Sequence, residues 1–168
     1  MRKIISNRRI VEDGWRLLDA DALLAPGEDG LIPDLPCGDV IAPLGLWRLR
    51  RDELIGRSGR RGVLLAADDA PEAVAPDLAL LDLVAVRFDR FSDGRGYSLA
   101  RLLRERHGWR GELRASGDVR RDQLPFMERA GFDAFELRDE ESADAALAAF
   151  DEIRVQLPAF RRSASQAA

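Results

Sequence analysis

The chain has 168 residues, 46% of them apolar and 33% charged, with 26 basic and 30 acidic side chains for a net charge of −4. That length suits one domain with an appendage, and the slightly acidic balance supplies no basic footprint for nucleic acid. No apolar run is long enough to span a bilayer and the N-terminus has no signal-peptide pattern, so a cytoplasmic protein without membrane contact is expected.

Single residues narrow the chemistry further. Lys3 is the only lysine, and an arginine and alanine bias of this kind follows from a GC-rich genome, so arginine abundance by itself marks no site. Cys37 is the only cysteine, which removes intramolecular disulfides, Cys-x-x-Cys redox pairs and cysteine zinc sites. His107 is the only histidine and stands just before Gly108, where capping of a helix C-terminus is the simplest role.

In chain order, Ile4-Ile5, Arg9-Ile10-Val11 and Gly14 to Leu18 read as a small β-hairpin or meander, with turns at Ser6-Asn7 and Glu12-Asp13-Gly14. Asp19 to Gly38 is rich in Pro, Gly and Asp and reads as an arm. A hairpin with a long arm must pack on the main body or on a second copy of the chain, and the second option makes a homodimer. Asp39 to Pro43 is a short strand, and Leu44 to Arg57 a helix. Gly62 to Ala67 is a buried strand, and Pro71 to Leu81 a helix broken or kinked at Pro76. Leu83 to Phe88 is an apolar strand, followed by a glycine turn and a helix carrying Leu99, Leu102 and Leu103. Glu112 to Ser116 is a strand, Arg121 to Ala130 a helix stopped by Gly131, and Ala134 to Leu137 a strand. Ser142 caps a last helix whose apolar face is Ala143, Ala146, Leu147, Phe150 and Ile153; Pro158 ends it.

The expected class is therefore α/β: repeated β-α units with a mainly parallel sheet, an open sheet or incomplete barrel, preceded by an N-terminal β-hairpin. The expected organisation is residues 1–38 as hairpin and arm, 39–158 as the α/β domain, and 159–168 as a disordered tail.

In either architecture ligands collect at the C-terminal ends of the strands. Two turns on consecutive strands meet that condition. The first holds Asp93, Gly94, Arg95, Gly96, Tyr97 and Ser98, with Ser98 as candidate N-cap. The second holds Ser116, Gly117 and Asp118, with Arg114 before it and Asp122 and Gln123 after it. Backbone N–H groups at a strand-to-helix turn and a nearby guanidinium suit a small oxyanion. Asp93 and Asp118 are the candidate acid and base. Arg87 and Arg114 sit inside apolar strands and need partners if they point inward, for which Asp89, Asp93 and Asp118 are at hand. An ion network that only locks the sheet to its helices is the competing reading. Nothing in the spacing of these carboxylates is specific for a metal, and no flavin, nicotinamide or iron–sulfur signature is present, so no cofactor is expected.

The run Phe91-Ser92-Asp93-Gly94-Arg95-Gly96-Tyr97-Ser98-Leu99-Ala100-Arg101-Leu102-Leu103-Arg104-Glu105-Arg106 resembles the bacterial domain of unknown function 934 family. So do Trp109 to Val119, Arg121 to Leu124 and Gly131 to Phe135, and the likeness extends over about residues 39–138. The family pattern has an Asp where Arg87 stands, a Cys where Ala130 stands and an aromatic where Pro125 stands. Its members are often called oxidoreductases and are linked by gene neighbourhood to assimilatory sulfite reductase. The resemblance thus implies an accessory protein of sulfite reduction, with sulfite reductase or another sulfur-assimilation protein as partner. The residues also admit a barrel-type enzyme acting on a small anionic substrate, or a dimeric scaffold without a ligand.

Overall fold

Eight strands form one sheet in the order β2-β1-β8-β7-β6-β5-β4-β3. The computed structural model describes residues 2–28, 30–138 and 141–152. The strands are Arg2–Ser6 (β1), Arg9–Asp13 (β2), Arg16–Leu17 (β3), Val40–Pro43 (β4), Arg61–Ala66 (β5), Leu83–Phe88 (β6), Glu112–Gly117 (β7) and Ala134–Phe135 (β8). From β3 to β8 every neighbouring pair is parallel. β1 runs antiparallel to β8 and to β2. The expected α/β class with a mainly parallel sheet and an N-terminal hairpin is the observed one, as a curled open sheet.

Each crossover leads to the next strand along, so right-handed connections put their helices on one face. Alternation along the strands follows from this. Val63, Leu65, Val84, Val86, Leu113 and Ala115 face the helices in the main core, whereas Ile41, Leu83 and Ala85 form a second cluster with Trp15 and Leu64 on the other face. The edge strands β2 and β3 are consecutive segments separated only by Gly14 and Trp15. The two edges of the sheet therefore have to meet at that point, and the sheet rolls up with its second face inside. Contact between Arg114 on β7 and Asp13 on β2, three strands away in the ladder, closes the roll.

The helices are Ala20–Leu24 (α1), Leu44–Leu49 (α2), Arg51–Gly56 (α3), Arg95–Glu105 (α4), Leu124–Ala130 (α5) and Ala143–Glu152 (α6). Several differ from expectation. The hairpin turn is Asn7-Arg8, both at positive φ (50° and 59°), one residue later than Ser6-Asn7; a two-residue loop of this kind matches the strand twist. β3 joins the parallel sheet beside β4 and is no part of an N-terminal meander. The arm contains α1, capped by Asp19, whose carboxylate accepts from Ala22 N. Arg50 then ties the arm down, donating to Leu23 O and Pro33 O.

The single helix expected over Leu44 to Arg57 is two, broken at Arg50 (φ −119°, ψ 29°). Pro71 to Leu81 is no α-helix but two 3₁₀ segments, Pro71–Ala73 and Ala75–Leu80, because Pro76 sits where a continuous helix would require an N–H, whereas Pro71 stands at a first position that tolerates it. Trp47 is buried there and its Nε1 donates to Asp77 Oδ2 at 2.7 Å, pinning α2 to the second of them. β8 is shorter than the expected Ala134–Leu137. Gly131 does end α5 at φ 116°, and Ser142 Oγ accepts from Ala145 N at the start of α6. His107 follows α4, its N–H on Leu102 O. Ile153, Pro158 and the expected tail at 159–168 lie outside the described residues.

Candidate functional site

The two β-to-α corners at β6 and β7 converge. Asp118 N donates to Phe88 O at 2.7 Å, the Asp118 carboxylate accepts from Phe91 N at 3.0 Å, and Gln123 Nε2 donates to Phe91 O at 2.5 Å. Gly117 makes this approach possible. It lies at φ 90°, and a Cβ there would stand 2.3 Å from Phe88 O. Gly96 does the same on the other side, where a Cβ would stand 2.5 Å from the Phe88 ring. Gly117→Ala is accordingly expected to cost about 1–3 kcal/mol of backbone strain and displacement; a urea midpoint within error of wild type would contradict it.

The side chains at these corners are committed to one another. Arg95 Nε and Nη2 donate to Asp93 at 2.9 and 2.8 Å, and Arg95 Nη1 lies 3.3 Å from Asp68. Asp93 Oδ1 also takes Arg95 N, so the helix starts at Arg95 with Gly94 as N-cap. Ser98, the expected cap, lies three residues inside α4 and lines an outer groove with Arg101 and Phe126. Asp118 accepts from Arg120 Nε at 3.2 Å, with Arg138 Nη1 3.4 Å away, and the Arg120 guanidinium stacks on Phe91 at 3.9 Å. The Arg95 guanidinium holds the Asp93 carboxyl below the usual carboxylate range, and Arg120 does the same for Asp118. Both carboxylates stay ionised near neutrality and each is a weak proton acceptor there. Burial pushes the Tyr97 phenol up, and the charge of Asp122 adds to it.

Arg114 and Ser116 are not at this mouth. They follow the alternation of β7 onto the inner face of the roll. Arg114 is fully buried, with Nη1 on both Asp13 oxygens (3.1 and 3.0 Å) and with Nε (2.9 Å) and Nη2 (2.8 Å) on Glu112 Oε1. Its partners are thus none of Asp89, Asp93 and Asp118; Arg87 alone pairs with Asp89, at 3.0 Å. Asp13, Arg114 and Ser116 line a cleft of about 100 Å³.

A wider groove of about 350 Å³ opens along the C-terminal ends of β4 and β5. Pro43, Ala66 and Asp69 form its edge, and Arg48 and Arg87 both line it. Asp69 is occupied in accepting from Ala66 N at 2.7 Å. Arg48, in contrast, is exposed and makes no hydrogen bond or ion pair among the described residues. Sequence reasoning passed over Arg48 because a lone arginine in a helix carries no signal until the neighbouring strand ends are placed. Among the described residues no group of three or more His, Cys, Asp or Glu is arranged to hold a metal ion, and no helix is long and apolar enough to cross a membrane.

The profile of a family described as a bacterial protein of unknown function (DUF934) matches residues 62–165. The chain belongs to this family. The match takes in β5 through α6, and so both converging corners of the DUF934 fold and the inner face of β5 to β7. A search of curated proteins finds no match.

Proposed function

We propose that this DUF934 protein is a cytoplasmic accessory of assimilatory sulfite reduction, holding a small oxyanion such as sulfite at the C-terminal rim of its sheet and delivering it to, or sensing it for, a sulfite-reducing partner. The pathway rests on the family's association with that enzyme. The oxyanion rests on Arg48, an uncommitted guanidinium beside Arg87 in an open groove at the strand ends. A guanidinium fork matches two oxygens of a pyramidal oxyanion, and the charge assistance strengthens both bonds. Arg95 is the weaker candidate, because Asp93 and Asp68 already neutralise it.

Titration of sulfite into the wild type, Arg48→Ala and Arg95→Ala separates these sites. Arg48→Ala is expected to weaken binding at least about tenfold, the loss of one charged hydrogen-bonding pair; unchanged affinity in both variants removes the oxyanion from the proposal. Deletion of the gene is expected to abolish growth on sulfate or sulfite and to leave growth on sulfide or cysteine intact. Normal growth on sulfate as sole sulfur source dismisses the pathway.

A further inference from the structure

We propose that the interior of the rolled sheet is a second binding site, for a small zwitterion carrying one ammonium and one carboxylate on a short apolar body. Residues from every strand but β8 line the cleft, and Glu136 follows directly on β8. One side is apolar: Ile41, Leu64 and Ala85, with Trp15 and Leu17. The other side is polar: the Arg114–Asp13 pair deep in the cleft and the Arg2–Glu136 pair, at 2.7 Å, where the Arg2 side chain is 51% exposed.

The charges narrow what fits. Two guanidiniums and two carboxylates line the cleft, each already paired with one of the opposite sign, and Glu112, outside the lining, takes the far side of Arg114. A lone anion or a lone cation would bring an uncompensated charge against a lining that is itself paired, which is costly at the buried Arg114–Asp13 end. A zwitterion adds no net charge. Its two ends can complement the Arg2–Glu136 pair, where Arg2 keeps unused N–H groups and Glu136 an unused oxygen.

Ser116 supplies a further, independent observation. Only 8% of its surface is accessible, it lines the cleft, and its hydroxyl has no hydrogen-bond partner among the described residues. That hydroxyl is reached by solvent, so it offers a donor and an acceptor to whatever enters the cleft. Size sets the limit: about 100 Å³ corresponds to roughly three water volumes, so only a very small molecule fits.

This inference does not rest on the sulfite proposal; the two sites share only Leu64, and each can fail alone. The test is saturation-transfer NMR with alanine and with its single-charge counterparts propionate and ethylamine. Alanine is expected to bind at least tenfold more tightly than either. Ser116→Ala is expected to weaken alanine severalfold. Ala85→Leu, which fills the cleft, is expected to abolish the signal while circular dichroism shows the fold retained. The proposal is overturned if none of the three probes binds, if propionate or ethylamine binds as well as alanine, or if Ser116→Ala or a folded Ala85→Leu variant binds alanine like the wild type.

Discussion

Replacing Arg104 by leucine is expected to destabilise the fold by about 3–5 kcal/mol, the usual cost of breaking a buried ion pair from one side. In a chain of this size that lowers the melting temperature by on the order of 10 °C. Arg104 is 1% exposed on α4. Its Nε donates to Gly131 O at 2.9 Å, its Nη1 to Trp109 O and Gly111 O at 2.9 Å each, and its Nη2 to Asp133 Oδ2 at 3.0 Å. Asp133 Oδ1 in turn accepts from Leu113 N at 2.8 Å. One guanidinium thus satisfies the carbonyl that ends α5, two carbonyls of the turn entering β7 and the carboxylate before β8. Leucine fills part of the volume and leaves each of those acceptors buried without that donor. Lysine is expected to recover little, since a single ammonium cannot span four acceptors in a fork. A melt within about 1 kcal/mol of wild type for Arg104→Leu would show that the network is slack.

Arg104 also marks where the sequence stops being legible. The apolar runs at Leu83–Phe88 and Gly62–Ala67 announce buried parallel strands because both of their faces are covered. The convergence of the Asp93 and Asp118 corners is equally legible, since consecutive parallel strands place consecutive loops side by side. What a helical or β pattern cannot show is a partner supplied from far along the chain. Asp13 lies 101 residues from Arg114, and nothing local at either position announces the other.

The side of the sheet on which Arg114 sits, by contrast, was open to a stricter reading. Leu113 and Ala115 are fully buried against the helices, so the period of two sends Glu112, Arg114 and Ser116 to the opposite face together. Grouping Arg114 with Arg95 ignored that alternation. The 3₁₀ segments follow from proline inside a helical pattern, with Asp77 then bonding Trp47 and Arg51, and the break at Arg50 is a case where tertiary contacts override that pattern, since Arg50 bonds the arm at Pro33 O.

Asp13→Ala is expected to cost about 3 kcal/mol or more, because it strips a fully buried guanidinium of one of its two carboxylates. Asp13 holds the roll closed in two ways. It takes both Nη1 bonds of Arg114, and its Oδ1 accepts from Trp15 N at 3.2 Å, fixing the turn through which one edge of the sheet passes into the other. The pair can be told from the turn by a double-mutant cycle. Arg114→Leu alone leaves Asp13 and Glu112 facing each other without a cation, and is expected to be as damaging as Asp13→Ala. Asp13→Ala combined with Arg114→Leu removes one charge of each sign from the same place, and should cost clearly less than the two single changes added. Amide hydrogen exchange gives the structural readout. If this pair closes the roll, Asp13→Ala speeds exchange first at β3 and at the β1–β2 hairpin and leaves β5 to β7 protected. Strict additivity of the two losses, or exchange that rises uniformly over the sheet, would mean that the sheet stays rolled by its packing alone and that Arg114 and Asp13 are passengers on its inner face.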